Sequence, residues 1–186
     1  MEEQTYYRAS PLFPHHLSVG AVLFDEDGRI AVHEFPESPD RPRYVTLMRE
    51  TLNWQESLEE GLVRGLAEEF GAKGHIVGFL GSLASTYRSG GEHSSFVIHK
   101  TTVYFLVRKV FMSARDRDPG DPEAHSSILW YRASELLPRM RAQGRSISVD
   151  IDESRIVQRA DTALDSLLGE LVGQTPTWPP KWKCGQ

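Results

Sequence analysis

The segment from Ser57 to Phe70, SLEEGLVRGLAEEF, constrains the fold of this chain more than any other part of its sequence. Ser57 followed by Glu60 is a capping-box pattern, which satisfies unpaired N–H groups at the start of a helix, and Gly71 is suited to end one. Leucines recur at helical spacing along the segment, which predicts an apolar face against a core and carboxylates on the other side. Such a helix needs a sheet or other helices to cover its apolar face.

Strand patterns lie on both sides of this helix. The runs 18–24 and 29–34 flank the dipeptide Asp27-Gly28, and Asp-Gly is a strong hairpin signal because both residues tolerate positive φ. Further strands are predicted at 44–48, 75–83, 98–110 and 128–131, and further helices at 134–137 and 151–172. This order predicts an α/β fold, with a mixed sheet covered by helices on both faces.

The length of 186 residues fits one domain with terminal appendages. We expect an extended lead-in over residues 1–17 and a domain over residues 18–172. Residues 173–186 contain three prolines and two tryptophans without a repeat, which predicts an irregular arm that docks on the domain or on a second copy. A homodimer is expected on the strength of these extra segments.

Composition excludes several classes of function. The formal net charge of −5, without a basic face, argues against nucleic-acid or anionic-membrane binding. The single cysteine, Cys184, leaves no disulfide framework and no Cys/His zinc spacing. No apolar stretch approaches the roughly 20 residues that cross a bilayer, and the first residues do not resemble a targeting signal. We therefore expect a soluble, cytoplasmic protein.

The polar side of the helix carries groups suited to a hard cation. Carboxylates at positions i, i+3 and i+4 point to one side of a helix, and Glu68 and Glu69 stand three and four residues after position 65. Steps of four residues separate Glu56, Glu60, Arg64 and Glu68. Arg64 therefore lies between two glutamates and is able to hold one by a bidentate pair. Taken alone, such a stripe is more often a solvated helix face than a metal site.

The spacing resembles the signature of the Nudix hydrolase superfamily, Gly-x5-Glu-x7-Arg-Glu-U-x-Glu-Glu-x-Gly-U, where U is a bulky aliphatic residue. Six positions match it: Glu56, Arg64, Leu66, Glu68, Glu69 and Gly71. The preceding hairpin and the segment EAHSSILWYRASEL also resemble the family, so the similarity covers residues 17–138. The resemblance implies a Nudix-type α/β/α sandwich and metal-dependent attack of water on a phosphoanhydride.

The resemblance also implies roles for individual residues. Glu68 and Glu69 would bind Mg²⁺ or Mn²⁺, Arg64 would orient them, and Glu56 would support the same metal cluster. Some family members take the catalytic base from a loop outside the signature. Glu92, in a glycine-rich loop, and Glu123, before the Ala-His-Ser segment, are the candidates here.

The chain departs from the signature at Glu50, which replaces the first glycine, at Gly65, which replaces a glutamate that commonly helps bind metal, and at Ala72. Gly61 and Gly65 each cost about 1 kcal/mol relative to alanine inside a helix. Their presence predicts a close approach, either of another backbone or of a ligand or water. With the rest of the site intact, Gly65→Glu is expected to raise metal affinity.

Two functions are consistent with these patterns. The first is a metal-dependent hydrolase that splits a diphosphate linkage in a nucleoside diphosphate derivative, with a phosphorylated small molecule as its partner. The alternative is a noncatalytic Nudix-fold module that binds nucleotides or proteins, which Gly65, Glu50 and the Trp-rich tail favour. No metal is assigned to the histidines, since none shows a zinc-helix spacing.

Overall fold

The computed structural model describes residues 9–10, 14–39, 41–88, 96–148 and 151–173, with side chains described as far as residue 167. The strands are β1 (His15–Phe24), β2 (Ile30–Phe35), β3 (Tyr44–Thr46), β4 (Met48–Thr51), β5 (Ala72–Arg88), β6 (Val97–Met112) and β7 (Ser127–Tyr131). The helices are α1 (Leu58–Phe70), α2 (Ala133–Ser146) and α3 (Ser154–Gly173), with a 3₁₀ turn at Ala114–Asp116. Within these ranges no helix is both long and apolar enough to span a membrane.

The strands form one mixed sheet with the order β3-β2-β1-β6-β5, in which β4 also pairs with β1 and β7 with β2. β1 and β6 run parallel, and the other strand pairs run antiparallel. β4 lies against the middle of β1, where Val19 is the register partner of Glu50. This pairing brings β4 beside α1, the helix that follows it.

The sheet is covered on both faces, as the sequence predicts. Alternate residues of β1, Val19, Ala21 and Leu23, belong to one core with the apolar face of α1. Val22 and Phe24 belong to a second core with α2 and α3. Each fully buried leucine in such a core contributes roughly 1.5–3 kcal/mol. The α/β/α sandwich is therefore confirmed.

The ends of α1 follow from its sequence. The Ser57 hydroxyl accepts from the Glu60 amide at 3.2 Å, and the Glu60 carboxylate accepts from the Ser57 amide at 2.8 Å. Gly71 ends the helix with φ 59°, in the left-handed region. A Cβ at Gly71 would overlap the carbonyl oxygen of Ser113, so glycine is needed there for its conformation and for its size.

Other elements are longer or shorter than the sequence patterns predict. β5 and β6 extend beyond 75–83 and 98–110 because they pair with each other over almost their full length. α2 was expected only over 134–137, yet it continues past Pro138 to Ser146. Pro138 removes one backbone donor, but the buried amide of Gln143 binds the backbone of β3 and holds the later turns against the sheet.

Part of the predicted organisation lies outside the described residues. β1 begins at His15, three residues before the predicted start of the domain. The arm beyond residue 173 and Glu92 fall in segments that the structure does not describe. The division into a lead-in, a domain over 18–172 and a tail stays a prediction.

Candidate active site

Arg64 organises the polar face of α1. Its Nε and Nη2 each donate to a Glu56 carboxylate oxygen at 2.8 Å, and its Nη2 also donates to the carbonyl oxygen of Thr51 at 2.8 Å. Its Nη1 lies 3.0 Å from Glu68 Oε2 and 3.1 Å from Glu50 Oε1. A guanidinium has five N–H donors, and each of these has an acceptor. These contacts, the Glu56 hydrogen bond first, raise the pKa of Arg64 above its ordinary value.

The bidentate partner of Arg64 is Glu56, eight residues earlier, rather than the Glu60 or Glu68 that the helical spacing predicts. The segment between β4 and α1 folds back, because the Asn53 amide donates to Glu56 Oε2 at 2.8 Å and the Glu56 amide donates to the Asn53 carbonyl at 3.2 Å. Glu60 is occupied instead by the capping box. Glu56 therefore braces Arg64 from the preceding turn.

Three carboxylates from three elements converge beside Arg64. Glu50 on β4, Glu68 on α1 and Asp121 on the loop after β6 each place one oxygen within 4.8 Å of the others. We call these three residues the open cluster, since all are only partly buried. Oxygen ligands from a few carboxylates, completed by water and phosphate oxygen, are what Mg²⁺ takes in proteins.

The loop that carries Asp121 is tied to the end of α1. The Asp118 amide donates to the Glu68 carbonyl at 2.9 Å, and the Asp121 amide donates to the Asp118 carbonyl at 3.2 Å. Farther along, Arg117 donates to the backbone carbonyls of Glu123 and Ser126 at 2.7 and 2.8 Å. Asp121 is thereby brought to the helix by backbone contacts, although it is more than 50 residues away in sequence.

Glu69 lies below this surface and is 2% exposed. Its Oε2 is 2.7 Å from His33 Nε2, and His33 Nδ1 is 2.7 Å from the Ser126 hydroxyl. Burial, followed by the charge of Arg117, lowers the pKa of His33 to about 3, so the imidazole is neutral. Burial, followed by the charge of Glu50, raises the pKa of Glu69 well above its ordinary value. We call His33 and Glu69 the buried pair.

A cleft of about 330 Å³ opens between β3 and the loop after β6. Its walls include two carboxylates, two guanidinium groups, two phenyl-type rings and two imidazoles, contributed by Glu69, Glu123, Arg41, Arg49, Phe35, Tyr44, His33 and His125. The rings of Phe35 and Tyr44 stack with centroids 4.7 Å apart. Burial, followed by the charges of Glu69 and Asp121, raises the pKa of Glu123 to about 7. The cleft therefore joins positive charge, flat apolar surface and a partly protonated carboxyl group.

Comparison with known proteins identifies the family. The family model described as NUDIX domain matches residues 14–150. The chain belongs to the Nudix family. Members of this family are pyrophosphohydrolases, and the expectation of an enzyme agrees with that.

Individual Nudix relatives are distant. The protein MutT4 of Mycobacterium tuberculosis (strain CDC 1551 / Oshkosh) is 26% identical over 125 residues, which are 67% of this chain and 44% of that protein. The chain thus spans less than half the length of this relative. A Nudix hydrolase from Nitrosomonas europaea has a TM-score of 0.50 with 14% identity, over 82% of this chain and 88% of that one, and shares the fold. A MutT protein from Methanosarcina mazei Go1 has a TM-score of 0.48 with 17% identity, over 81% and 96%.

The Nudix residues predicted from the sequence occupy different places in the structure. Glu68 belongs to the open cluster and Arg64 holds it there, whereas Glu69 lies in the buried pair. Glu56 contacts Arg64 from outside the open cluster, and Glu123 lies in the cleft next to Glu69. Glu92 lies outside the described residues. The roles assigned to these residues stay predictions.

Three residues of this region were not predicted from the sequence as functional. From the sequence Glu50 is only a departure from the signature, and Asp121 lies in the segment between the predicted strands 98–110 and 128–131, to which no function is assigned. His33 has no role assigned from the sequence, although a histidine that follows the apolar residues Ile30, Ala31 and Val32 in a predicted strand is a signal of a buried polar contact. Each of the three becomes visible through contacts between elements that are distant in sequence.

Proposed function

We propose that this chain is a metal-dependent Nudix hydrolase that splits the diphosphate linkage of a nucleoside diphosphate derivative. The observation that carries the proposal is the open cluster, which gathers the carboxylates of Glu50, Glu68 and Asp121 at one edge of the helix. Its all-oxygen donor set fits Mg²⁺ or Mn²⁺. A bound divalent cation supplies neutralisation of phosphate charge and acidification of a water molecule.

The residues around the cluster support this chemistry by holding it in position. Arg64 connects Glu68 on the helix to Glu50 and to the backbone of β4, so the two carboxylates share one guanidinium partner. Glu56 fixes the guanidinium from behind. Such supporting contacts restrict the movement of ligands, and losing them commonly costs 10–100-fold in metal affinity or activity.

Glu123 is our proposed general base, with Glu92 as the second candidate. Glu123 lies beside Glu69 on the cleft wall, in the loop that also contains Asp121. A base has to reach the attacking water by a hydrogen bond, and Glu123 lies on the wall of the cleft that also contains Arg41 and Arg49. Glu69, as the second predicted metal-binding residue, would act from the floor of the same cleft.

The cleft walls support a nucleotide as substrate. Arg41 and Arg49 offer positive charge for phosphate oxygens, and the rings of Phe35 and Tyr44 offer apolar surface for a base, which would share the Tyr44 ring with the Arg41 guanidinium 5.2 Å from its centroid. Tyr44→Ala is expected to raise KM for a nucleotide substrate more than it lowers kcat. An equal KM for the variant and the wild type would mean that the base does not bind at these rings.

Phosphate release from a panel of nucleoside diphosphate derivatives tests the main proposal. Hydrolysis should require Mg²⁺ or Mn²⁺ and collapse in Glu69→Gln and in Glu68→Gln. Glu59→Gln is a matched control, since it makes the same change on an exposed position of α1. Turnover that is indifferent to metal and to both variants would reject the proposal. Nucleotide binding without turnover on any substrate would favour the noncatalytic module.

Two further expectations accompany the proposal. We propose that residues 18–172 form the domain and that residues 173–186 form an arm outside it. We also propose a homodimer, which sedimentation equilibrium of the full chain would test. A single species at the monomer mass of 21.0 kDa over the micromolar range would reject the dimer.

A further inference from the structure

We propose that the metal-binding carboxylate missing from the helix at position 65 has been transposed to strand β4, where Glu50 supplies it to the same cation. This inference rests on the proposed function, because it concerns the divalent cation that the Nudix family uses. It explains two of the three departures from the signature, Glu50 and Gly65, as one coordinated change.

The two departures are in direct contact. A Cβ built on Gly65 would lie 2.6 Å from Glu50 Cβ and 3.1 Å from Glu50 Cγ, and 3.1 Å from Met48 Sδ. Gly65 is buried, so other residues cover this part of the α1 surface. The aliphatic part of Glu50 therefore occupies the volume that a side chain at position 65 would need. The sequence analysis predicts a close approach at this position by a backbone, a ligand or water. In the structure a side chain, that of Glu50, fills the space instead.

The carboxylate of Glu50 is directed to the metal-binding edge of α1. Its Oε1 lies 3.1 Å from Arg64 Nη1, and it offers an oxygen within 4.8 Å of those of Glu68 and Asp121. The side chain is only 16% exposed. The pairing of β4 with β1, in which Glu50 is opposite Val19, holds the backbone in place. Glu50 thus arrives from the strand at a cluster that in the signature is built largely on the helix.

Gly61 shows what an interior glycine of α1 looks like without such an exchange. A Cβ at Gly61 would overlap the Leu52 side chain and would lie 3.3 Å from a carboxylate oxygen of Glu56, which is outside the open cluster. The neighbours of Gly61 therefore bring no carboxylate to the open cluster, whereas the neighbour of Gly65 does. The structure also reverses one expectation: Gly65→Glu alone would force its Cβ into Glu50, so it should lower stability and not raise metal affinity.

The test is Mn²⁺ binding to the full-length protein, measured by calorimetry and by the paramagnetic resonance of free Mn²⁺. We expect Glu50→Gln and Glu50→Gly each to weaken Mn²⁺ binding by more than about 100-fold, because the loss of a direct ligand exceeds the 10–100-fold that supporting contacts commonly cost. Gly65→Glu should lower the melting temperature. The exchange variant Glu50→Gly/Gly65→Glu should regain Mn²⁺ affinity to within about 3-fold of wild type, because it restores the helical carboxylate and clears the space for it.

Two controls separate a ligand from a residue that only braces Arg64. Glu56→Gln removes an Arg64 partner outside the open cluster, and Glu59→Gln changes charge elsewhere on α1. Both should bind Mn²⁺ more tightly than Glu50→Gln does. A loss in Glu56→Gln as large as that in Glu50→Gln would overturn the proposal, as would wild-type Mn²⁺ affinity in Glu50→Gln. If Glu50→Gln did not fold, the exchange variant would decide, since failure to bind Mn²⁺ would count against transposition.

The outcomes also separate this inference from the proposed function. Wild-type protein that binds Mn²⁺ through Glu50 but hydrolyses no nucleotide would support the transposition and reject the hydrolase. Metal-dependent hydrolysis with unchanged Mn²⁺ affinity in Glu50→Gln would support the hydrolase and reject the transposition.

Discussion

Glu68 and Glu69 are adjacent in sequence but belong to regions with opposite electrostatic character. Glu68 lies in the open cluster, where its side chain is 36% exposed and Arg64 lies 3.0 Å away as a cation. Glu69 lies in the buried pair, where its partner is a neutral histidine at 2.7 Å. Solvent and a guanidinium stabilise carboxylate charge, whereas burial opposes it. One dipeptide therefore supplies a carboxylate to the open cluster and another to the buried pair.

The open cluster is where we expect the largest effect. Glu68→Gln should lower kcat/KM by at least about 100-fold, since removing a direct ligand exceeds the usual loss for an outer contact. Its melting temperature should stay near that of wild type because the side chain is at the surface. Steady-state phosphate release with saturating Mn²⁺ would measure this. A decrease in kcat/KM of less than about 3-fold would mean that Glu68 is not a metal ligand.

The second prediction concerns the cation that holds the open cluster together. Arg64→Met should lower the free energy of unfolding by about 3 kcal/mol, since the partly buried carboxylates of Glu50, Glu56 and Glu68 lose their common partner. Arg64→Lys should fall between this variant and wild type, because lysine restores the charge but not the five-donor geometry. Urea denaturation at pH 7 would give both values. Equal stability of the lysine variant and wild type would show that charge alone suffices.

The third prediction concerns the buried pair. His33→Phe should lower the free energy of unfolding by about 2 kcal/mol, because the polar group of Glu69 loses its partner inside the core. The double variant His33→Phe/Glu69→Met should recover much of that loss, since both polar groups are then removed. Denaturation of the two single variants and the double variant forms a complete cycle. Strict additivity would mean that the two side chains are not coupled.

The smallest expected effect is on acid stability. The Arg64 hydrogen bond, more than any other contact, lowers the pKa of Glu56 below its ordinary value of 4.5. A carboxyl group whose pKa is lowered in the folded state contributes stability at pH values above its ordinary pKa. This contribution is lost as the pH falls through the folded-state pKa. Glu56→Gln should therefore cost about 1 kcal/mol at pH 7 and less at pH 3. An equal loss of unfolding free energy at pH 7 and pH 3 would show that the charge of the Glu56 carboxylate is not what stabilises the fold.

The sequence predicts much of this molecule correctly because the relevant signals are local. The capping box at Ser57, the glycine at position 71 and the spacing of the leucines define α1 within a few residues. The two-sided covering of the sheet follows from the order of elements. The lengths of α2 and of β5 do not follow, because they depend on buried contacts with other elements.

For the candidate site, the sequence by itself determined the family and the positions of Arg64, Glu68 and Glu69 on one helix, because helical geometry depends only on spacing. Only the tertiary structure decided which carboxylates meet. Glu50 reaches Arg64 because β4 pairs beside β1, and Asp121 reaches Glu68 because its loop binds the end of α1. The contact between Glu50 and Gly65 is visible only in the tertiary structure, since it depends on how β4 packs on α1 and produces no pattern in the sequence.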